Sequence, residues 1–190
     1  WLTSRLEITQ VSRPTLLALQ ERHASAALQE LLAPTARETL RNRMLQSQVA
    51  DFLRDFPADW DAQALLGALR PLAPRLYSIA SSRASVGDEV HTTVALVGNG
   101  AAGRPTTSNA RWGAASRFVA SHSVEGSIPV FIEANERFRL PRDGARDIIM
   151  VGPGTGVAPF RAFVQERAET GASGRNWLLL GARTFDNDFL

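Results

Sequence analysis

Apolar and polar positions along the chain change their period twice. Between residues 12 and 70 the apolar residues recur at helical intervals. Ser12 ahead of Pro14 offers a cap followed by a residue suited to a first turn, and Thr35 with Glu38 three positions on makes a capping box directly behind Pro34. Two helices are predicted from these starts. The second carries Leu45, Val49, Phe52 and Phe56 at i, i+4, i+7 and i+11, one apolar stripe that must pack against something. A third, short helix over about Asp61 to Leu69 ends at Pro71.

From Arg75 the pattern turns to strands and turns. Strands are predicted at 75–81 and at 89–97 (EVHTTVALV), then a Gly/Ala/Pro/Thr-rich loop at 98–110, a short helix near Ala114 to Ser121, and a strand SIPVFIE at 127–133. The third region starts at Asp147. There DIIMV is a continuous apolar run, followed by GPGTG, an amphipathic helix of about Val157 to Thr170, the turn GASG and a second run, NWLLLG. Strand, glycine loop, helix, strand is the order of one βαβ unit, and the two runs lie close to its spacing of roughly 30 residues. The fold class predicted is α+β followed by α/β, with no internal repeat.

Composition removes function classes. The chain has 190 residues, 44% of them hydrophobic, enough for a packed core. Its formal charge is +2, and all 21 basic residues are arginines spread from Arg5 to Arg183 without a dense block, so no electrostatic track for nucleic acid is expected. Without cysteine there is no disulfide, thiolate metal site or cysteine nucleophile, which fits a reducing cytoplasm. No apolar run approaches the roughly 20 residues that span a bilayer, and WLTSRLEITQ lacks the apolar core of a signal peptide. His23, His91 and His122 are scattered and read as structural or solvated, and no metal site is predicted. Trp1 opens in mid-pattern and DNDFL stops on an apolar pair, so a piece of a longer chain is expected.

Three short stretches could carry chemistry. In GPGTGVAPF a glycine-rich turn leaves a buried strand and opens a helix, which lets backbone N–H groups converge on a phosphate, and Gly152, Gly154 and Gly156 permit close approach. The alternative is a tight turn that needs glycine only for its dihedrals. GAASRFVA at 113–120 offers small residues, the Ser116 hydroxyl and a helix start; equally, this is ordinary helix-start chemistry. RLYSIASS at 75–82 puts Arg75 and Tyr77 on one face of a strand and Leu76 and Ser78 on the other, a guanidinium beside a phenol that suits a phosphate and a flat ring. The alternative is a solvated face with an arginine over an aromatic ring. Together, in this order, the three point to two nucleotide-like ligands.

The same words resemble the ferredoxin-NADP reductase-like superfamily and, within it, the diflavin reductases. RLYSIASS is similar to that family's R-x-Y-S flavin motif, GAAS to its pyrophosphate motif and GPGTGVAPFRAFVQER to the start of its NADP-binding domain. IEANERFRLP, GRNWLLLGAR and FDNDFL are similar to the branch that serves a haem and iron-sulfur acceptor. The resemblance covers residues 60–190 by motif and the preceding helical stretch by character. It implies a helical connecting insertion at 1–74, part of an antiparallel FAD-binding β-barrel at 75–144, and at 145–190 the first βαβ unit of a parallel, Rossmann-like NADP-binding domain.

The resemblance also implies roles. Arg75 binds the FAD phosphates, Tyr77 stacks on the isoalloxazine with Leu76 in the same motif, and Ser78 lies near flavin N5 as the catalytic residue. Thr93, Val94 and Ala95 border the flavin, and Gly113, Ala114, Ala115 and Ser116 hold the pyrophosphate. Gly152, Gly154, Thr155 and Gly156 shape the NADPH site, with Arg183 on its phosphates. The mechanism implied is hydride transfer from NADPH to FAD, then electron delivery through FMN on a flavodoxin-like domain that is not among these residues, to a haem and iron-sulfur partner. No general base is required. These residues alone are expected to fold poorly and to bind neither cofactor tightly. Two alternatives stay open: a reductase of the same build serving another haem acceptor, and a non-catalytic cofactor-binding or scaffold module.

Overall fold

The computed structural model describes residue 2, residues 4–98 and residues 111–182. The chain divides into two compact units, Trp1–Arg75 with Gly98–Ala114, and Leu76–Val97 with Ala115–Leu190.

The first unit is helical. Helices α1 (Arg13–Arg22), α2 (Ala26–Leu32), α3 (Arg37–Gln46), α4 (Val49–Asp55) and α5 (Ala62–Ala68) follow one another, with a 3-10 turn at Pro34–Ala36. Ser12 caps α1 as expected, its hydroxyl accepting from the Thr15 amide at 3.3 Å, and Asp61 caps α5 through the Ala64 amide at 2.8 Å. The two helices predicted ahead of Asp61 are four, separated at His23–Ser25, at the 3-10 turn and at Ser47–Gln48. The capping box lies elsewhere than expected. Ala36 precedes α3 with no side-chain cap, whereas Gln48 and Asp51 form a reciprocal box at the start of α4, the Gln48 amide donating to Asp51 Oδ2 at 2.8 Å.

That break explains a second departure. Ser47 and Gln48 are extended, so the stripe from Leu45 to Phe56 does not run along one helix. Leu45 is 75% exposed, while Val49, Phe52 and Phe56 are buried with Leu16, Leu19, Leu28 and Leu69 in a single apolar cluster. The Asp51 carboxylate, buried at the edge of α4, also accepts from Arg54 at 2.7 Å and from Arg111. Burial pushes Asp51 up, but the Gln48 amide and the two guanidinium groups outweigh it and hold the carboxyl below its usual range.

The second unit holds α6 (Arg83–Val86), α7 (Ala114–Ser121, its first residue counted with the other unit), β1 (Ile148–Pro153), α8 (Ala158–Glu169) and β2 (Asn176–Gly181). The predicted βαβ unit forms. β1 pairs with β2 in parallel, Ile149 opposite Trp177 and Val151 opposite Leu179. Asp147 and Arg175 staple the strand starts, the guanidinium donating to Oδ2 through Nε at 2.8 Å and Nη2 at 2.6 Å. Helix α8 packs Phe160 and Phe163 on Phe138, with ring centroids 5.7 and 5.1 Å apart. Helix α7 spans the predicted residues.

The predicted strands at 75–81, 89–97 and 127–133 form no ladders. A single isolated antiparallel bridge, Ile79 with Thr92, joins the first two, and another, Gly98 with Trp112, lies just beyond them. Near the first, the Ala80 amide donates to the His91 carbonyl at 2.8 Å, but the return bond from the His91 amide goes to the Ser81 hydroxyl at 2.9 Å. A side-chain oxygen thus takes the donor that a ladder would give to a carbonyl. In 127–133, Pro129 removes a donor from the middle of the run, and Val130, Phe131 and Ile132 are exposed at 83%, 60% and 79%.

Candidate functional site

The glycine turn is the most completely built of the three stretches. β1 ends at Pro153, the backbone turns through a 3-10 segment at Gly154–Val157, and α8 starts at Ala158 with a proline in its first turn. Gly152 is buried beneath this turn. A Cβ there would lie 2.8 Å from the Val157 Cα and 2.9 Å from its amide nitrogen, so the turn folds back on the strand only because no side chain intervenes. Gly154 has a φ of +53°, and a Cβ there would meet nothing within 4 Å. Thr155 and Gly156 are exposed. The outer side of the turn is therefore open backbone at a helix start, which fits a nucleotide phosphate. The conformational need for glycine is met at two positions, Gly152 for close packing of the turn on the strand and Gly154 for its positive φ. Arg183 lies outside the described residues.

In the flavin motif, Arg75 belongs to the first unit and the residues after it to the second. Arg75 Nη2 donates to Glu7 Oε2 at 2.8 Å, and its Nη1 donates to the Ala73 carbonyl. Glu7 is almost completely buried. Its other oxygen accepts from the Thr9 amide at 2.8 Å, the Thr9 hydroxyl at 2.5 Å and the Gln10 amide at 3.1 Å. Burial pushes Glu7 up, yet the bonds from Thr9, Arg75 and Gln10 prevail and the carboxyl sits below its usual range. Arg75 is only partly covered and has further N–H groups for an anion.

Leu76 and Tyr77 are exposed at 65% and 38%, and Ser78 is exposed as well. Counting back from the Ile79–Thr92 bridge sets Ser78 across from Thr93 and Tyr77 across from Val94, both half-buried, with Ala95 exposed beyond them. The bridge thus brings two of the predicted flavin-bordering segments together. The open Tyr77 ring fits a flat aromatic ligand.

The other serines of RLYSIASS do different work. Ser81 and Ser82 are 6% and 5% exposed. Ser82 donates its amide to Gln165 Oε1 at 3.1 Å and its hydroxyl to a Glu166 carboxylate oxygen, and Arg161 Nη1 donates to the Ala80 carbonyl at 2.6 Å. Only the first half of the octet is open to a ligand; the second half is fastened to α8.

Ser116 is likewise buried, and its hydroxyl accepts from the Val97 amide at 3.2 Å. Gly113, Ala114 and Ala115 are half-buried around the start of α7. Sequence reasoning missed Glu7, Arg161, Gln165 and Glu166. Arg161 and Gln165 stand four apart on one helix face, but nothing in their spacing names Ala80 or Ser82 as partners. Among the described residues, no group of three or more His, Cys, Asp or Glu could hold a metal, and no helix is long and apolar enough to cross a membrane.

Comparison with known proteins shows what the chain is similar to. Residues 150–190 match the family model of the oxidoreductase NAD-binding domain. The chain is 48% identical over 173 residues to the sulfite reductase (NADPH) flavoprotein alpha-component of Salmonella paratyphi A, across 90% of this chain and 28% of that protein. It is 47% identical to the same component of Vibrio cholerae, across 100% of this chain and 30% of that protein. It is 52% identical to that of Neisseria meningitidis serogroup C, across 80% of this chain and 24% of that protein. The chain thus spans at most about 30% of the length of these curated relatives. The likeness read from the motifs is borne out.

Proposed function

We propose that this chain is the FAD- and NADPH-handling core of a sulfite reductase flavoprotein, passing electrons from NADPH to FAD and on, through FMN on a flavodoxin-like domain, to the haem and iron-sulfur hemoprotein subunit. The observation that carries this reading is the GPGTG turn between a parallel strand and α8, lying within the residues that match an oxidoreductase NAD-binding domain. Bound beside Tyr77 and Ser78, FAD would supply the exchange between two-electron and one-electron chemistry, and NADPH held at the glycine turn would supply the hydride.

Every other part of the work falls to this chain's residues. Gly154, Thr155 and Gly156 present backbone to the nicotinamide nucleotide, with Gly152 holding the turn close and Arg183 on the phosphates. Arg75, oriented by Glu7, grips the FAD phosphates, and Tyr77 covers the ring with Leu76 beside it. Thr93, Val94 and Ala95 border it, and Gly113 to Ser116 hold the pyrophosphate, chiefly through backbone since the Ser116 hydroxyl already serves Val97. Ser78 stands at the flavin edge. Residues 75–144 contribute to the antiparallel FAD-binding barrel, and the compartment is the cytoplasm.

Reduction tests this directly. The purified holoenzyme that carries these residues should be yellow and should lose its visible flavin absorbance anaerobically on adding NADPH. Ser78→Ala should retain FAD and slow that loss. A holoenzyme that stays colourless, or a yellow one that NADPH leaves unchanged, would sink the reading.

A further inference from the structure

The bonds between the flavin motif and α8 have no place in either cofactor site. Ala80, Ser81 and Ser82 are 2%, 6% and 5% exposed, and together they take three contacts from one helix: Arg161 to the Ala80 carbonyl, Gln165 to the Ser82 amide and Glu166 to the Ser82 hydroxyl. On the other side, the Ala80 amide and the Ser81 hydroxyl hold the backbone of His91. The segment is thus clamped between α8 and the chain that carries Thr93 and Val94. Tyr77 and Ser78 project from one end of this clamp, only two to three residues before Ala80. The glycine turn lies at the other end, because α8 begins at Ala158, three residues before Arg161.

We infer that Arg161, Ser82 and Glu166 are positioning residues that set the distance and angle between the flavin ring and the nicotinamide. The inference rests on the reading given under Proposed function and adds the device that aligns the two ligands. The lengths involved are short. Ser78 to Ala80 spans at most about 7 Å of extended chain, and Ala158 to Arg161 about 4.5 Å of helix. A shift at the clamp therefore reaches the reacting edge with little chain to absorb it. Misplacing reactants by about 1 Å can cost about 100-fold in rate. Neither phosphate site includes these side chains, so binding and alignment should separate on mutation.

The test compares the wild-type FAD-loaded holoenzyme with Arg161→Gln, Glu166→Gln, Ser82→Ala and Arg161→Lys. The first three should keep FAD content and NADP+ affinity within about twofold while flavin reduction by NADPH slows by about 10- to 100-fold. They should also weaken the long-wavelength charge-transfer absorbance between reduced flavin and NADP+, and speed amide exchange at Ala80 and Ser82. Arg161→Lys, which still has a donor for the Ala80 carbonyl, should recover part of the rate and the band. Wild-type rate and band in Arg161→Gln and Glu166→Gln would overturn the inference. So would loss of FAD in both, which would make the contacts a support of the fold. A wild-type holoenzyme that NADPH does not reduce would instead overturn the underlying reading, and it would do so before any variant is compared.

Discussion

Glu7 is a carboxylate with almost no contact with water, and the company it keeps decides what Arg75 is able to do. A buried carboxylate that accepts from two amides, a hydroxyl and a guanidinium is satisfied, and it fixes the guanidinium in return. Glu7→Gln should therefore disturb FAD retention although residue 7 is not among the residues assigned to the cofactor. Arg75→Ala should do so more severely, since it removes a charge-assisted contact to phosphate worth about 1.5 to 3 kcal/mol and leaves Glu7 without its cation. Flavin content after gel filtration checks both, and full occupancy in Arg75→Ala would remove that residue from the site. The pH dependence has a definite sign. The folded-state value of Glu7 lies below its ordinary 4.5, so its contribution to stability is present above that pH and is lost as pH falls through the lower folded value. Asp51 acts in the same direction, so the measurement is the difference between wild type and Glu7→Gln in melting temperature as pH is lowered from 6. The gap should close in acid. A gap that stays constant would show that Glu7 does not titrate on unfolding.

The glycine turn is the element in which packing and ligand roles separate. Gly152→Ala forces a Cβ to 2.8 Å from the Val157 backbone and should destabilise the fold by about 1 to 3 kcal/mol, whatever is bound. Gly154→Ala meets open space but holds a φ of +53°, which costs about 1 to 2 kcal/mol for an L side chain and intrudes where the nucleotide approaches. Urea denaturation and NADP+ titration on each variant separate the two roles: Gly152→Ala should show the larger loss of stability, Gly154→Ala the larger loss of affinity per unit of stability. The opposite ranking would reassign the turn. This element was legible in the sequence because its signals are local, two apolar runs, three glycines and one helical period. The helix break at Ser47–Gln48 was not. Leu45 continues the apolar period across it, while the backbone at Ser47 and Gln48 is extended and the reciprocal Gln48–Asp51 box opens a new helix. The strands at 75–97 were misjudged for a related reason, since strand formation needs a partner backbone in register and the Ser81 hydroxyl captures the bond that would have extended the pairing. In the candidate site the motif glycines and Tyr77 are local features of the sequence, whereas Glu7 and Glu166 make their contacts across 68 and 84 residues, a separation that no motif encodes.

At the scale of the whole molecule, the uncovered apolar surface decides how these residues behave in solution. A parallel sheet ordinarily carries cover on both faces. Here Met150 and Gly152 are buried on one face of β1, but Ile149, Val151, Trp177 and Leu179 share the other and are exposed at 67%, 62%, 62% and 43%. Val130, Phe131 and Ile132 add a second exposed run. Paired aliphatic and aromatic side chains on adjacent strands form a contiguous patch of the kind that drives association, and among the described residues β1 and β2 each pair with one strand only, which adds hydrogen-bonding capacity at their outer edges. The polypeptide of these 190 residues should therefore bind a hydrophobic dye strongly and self-associate as its concentration rises. Replacing Val151 and Trp177 together by lysine should suppress both without altering the far-ultraviolet circular dichroism, because neither side chain belongs to the buried set. Sedimentation velocity and dye fluorescence measure the outcome. A monomeric, dye-negative wild-type polypeptide would show that this face is covered in solution, and a double variant that lost its helical signal would show that the two side chains support the fold from the exposed side.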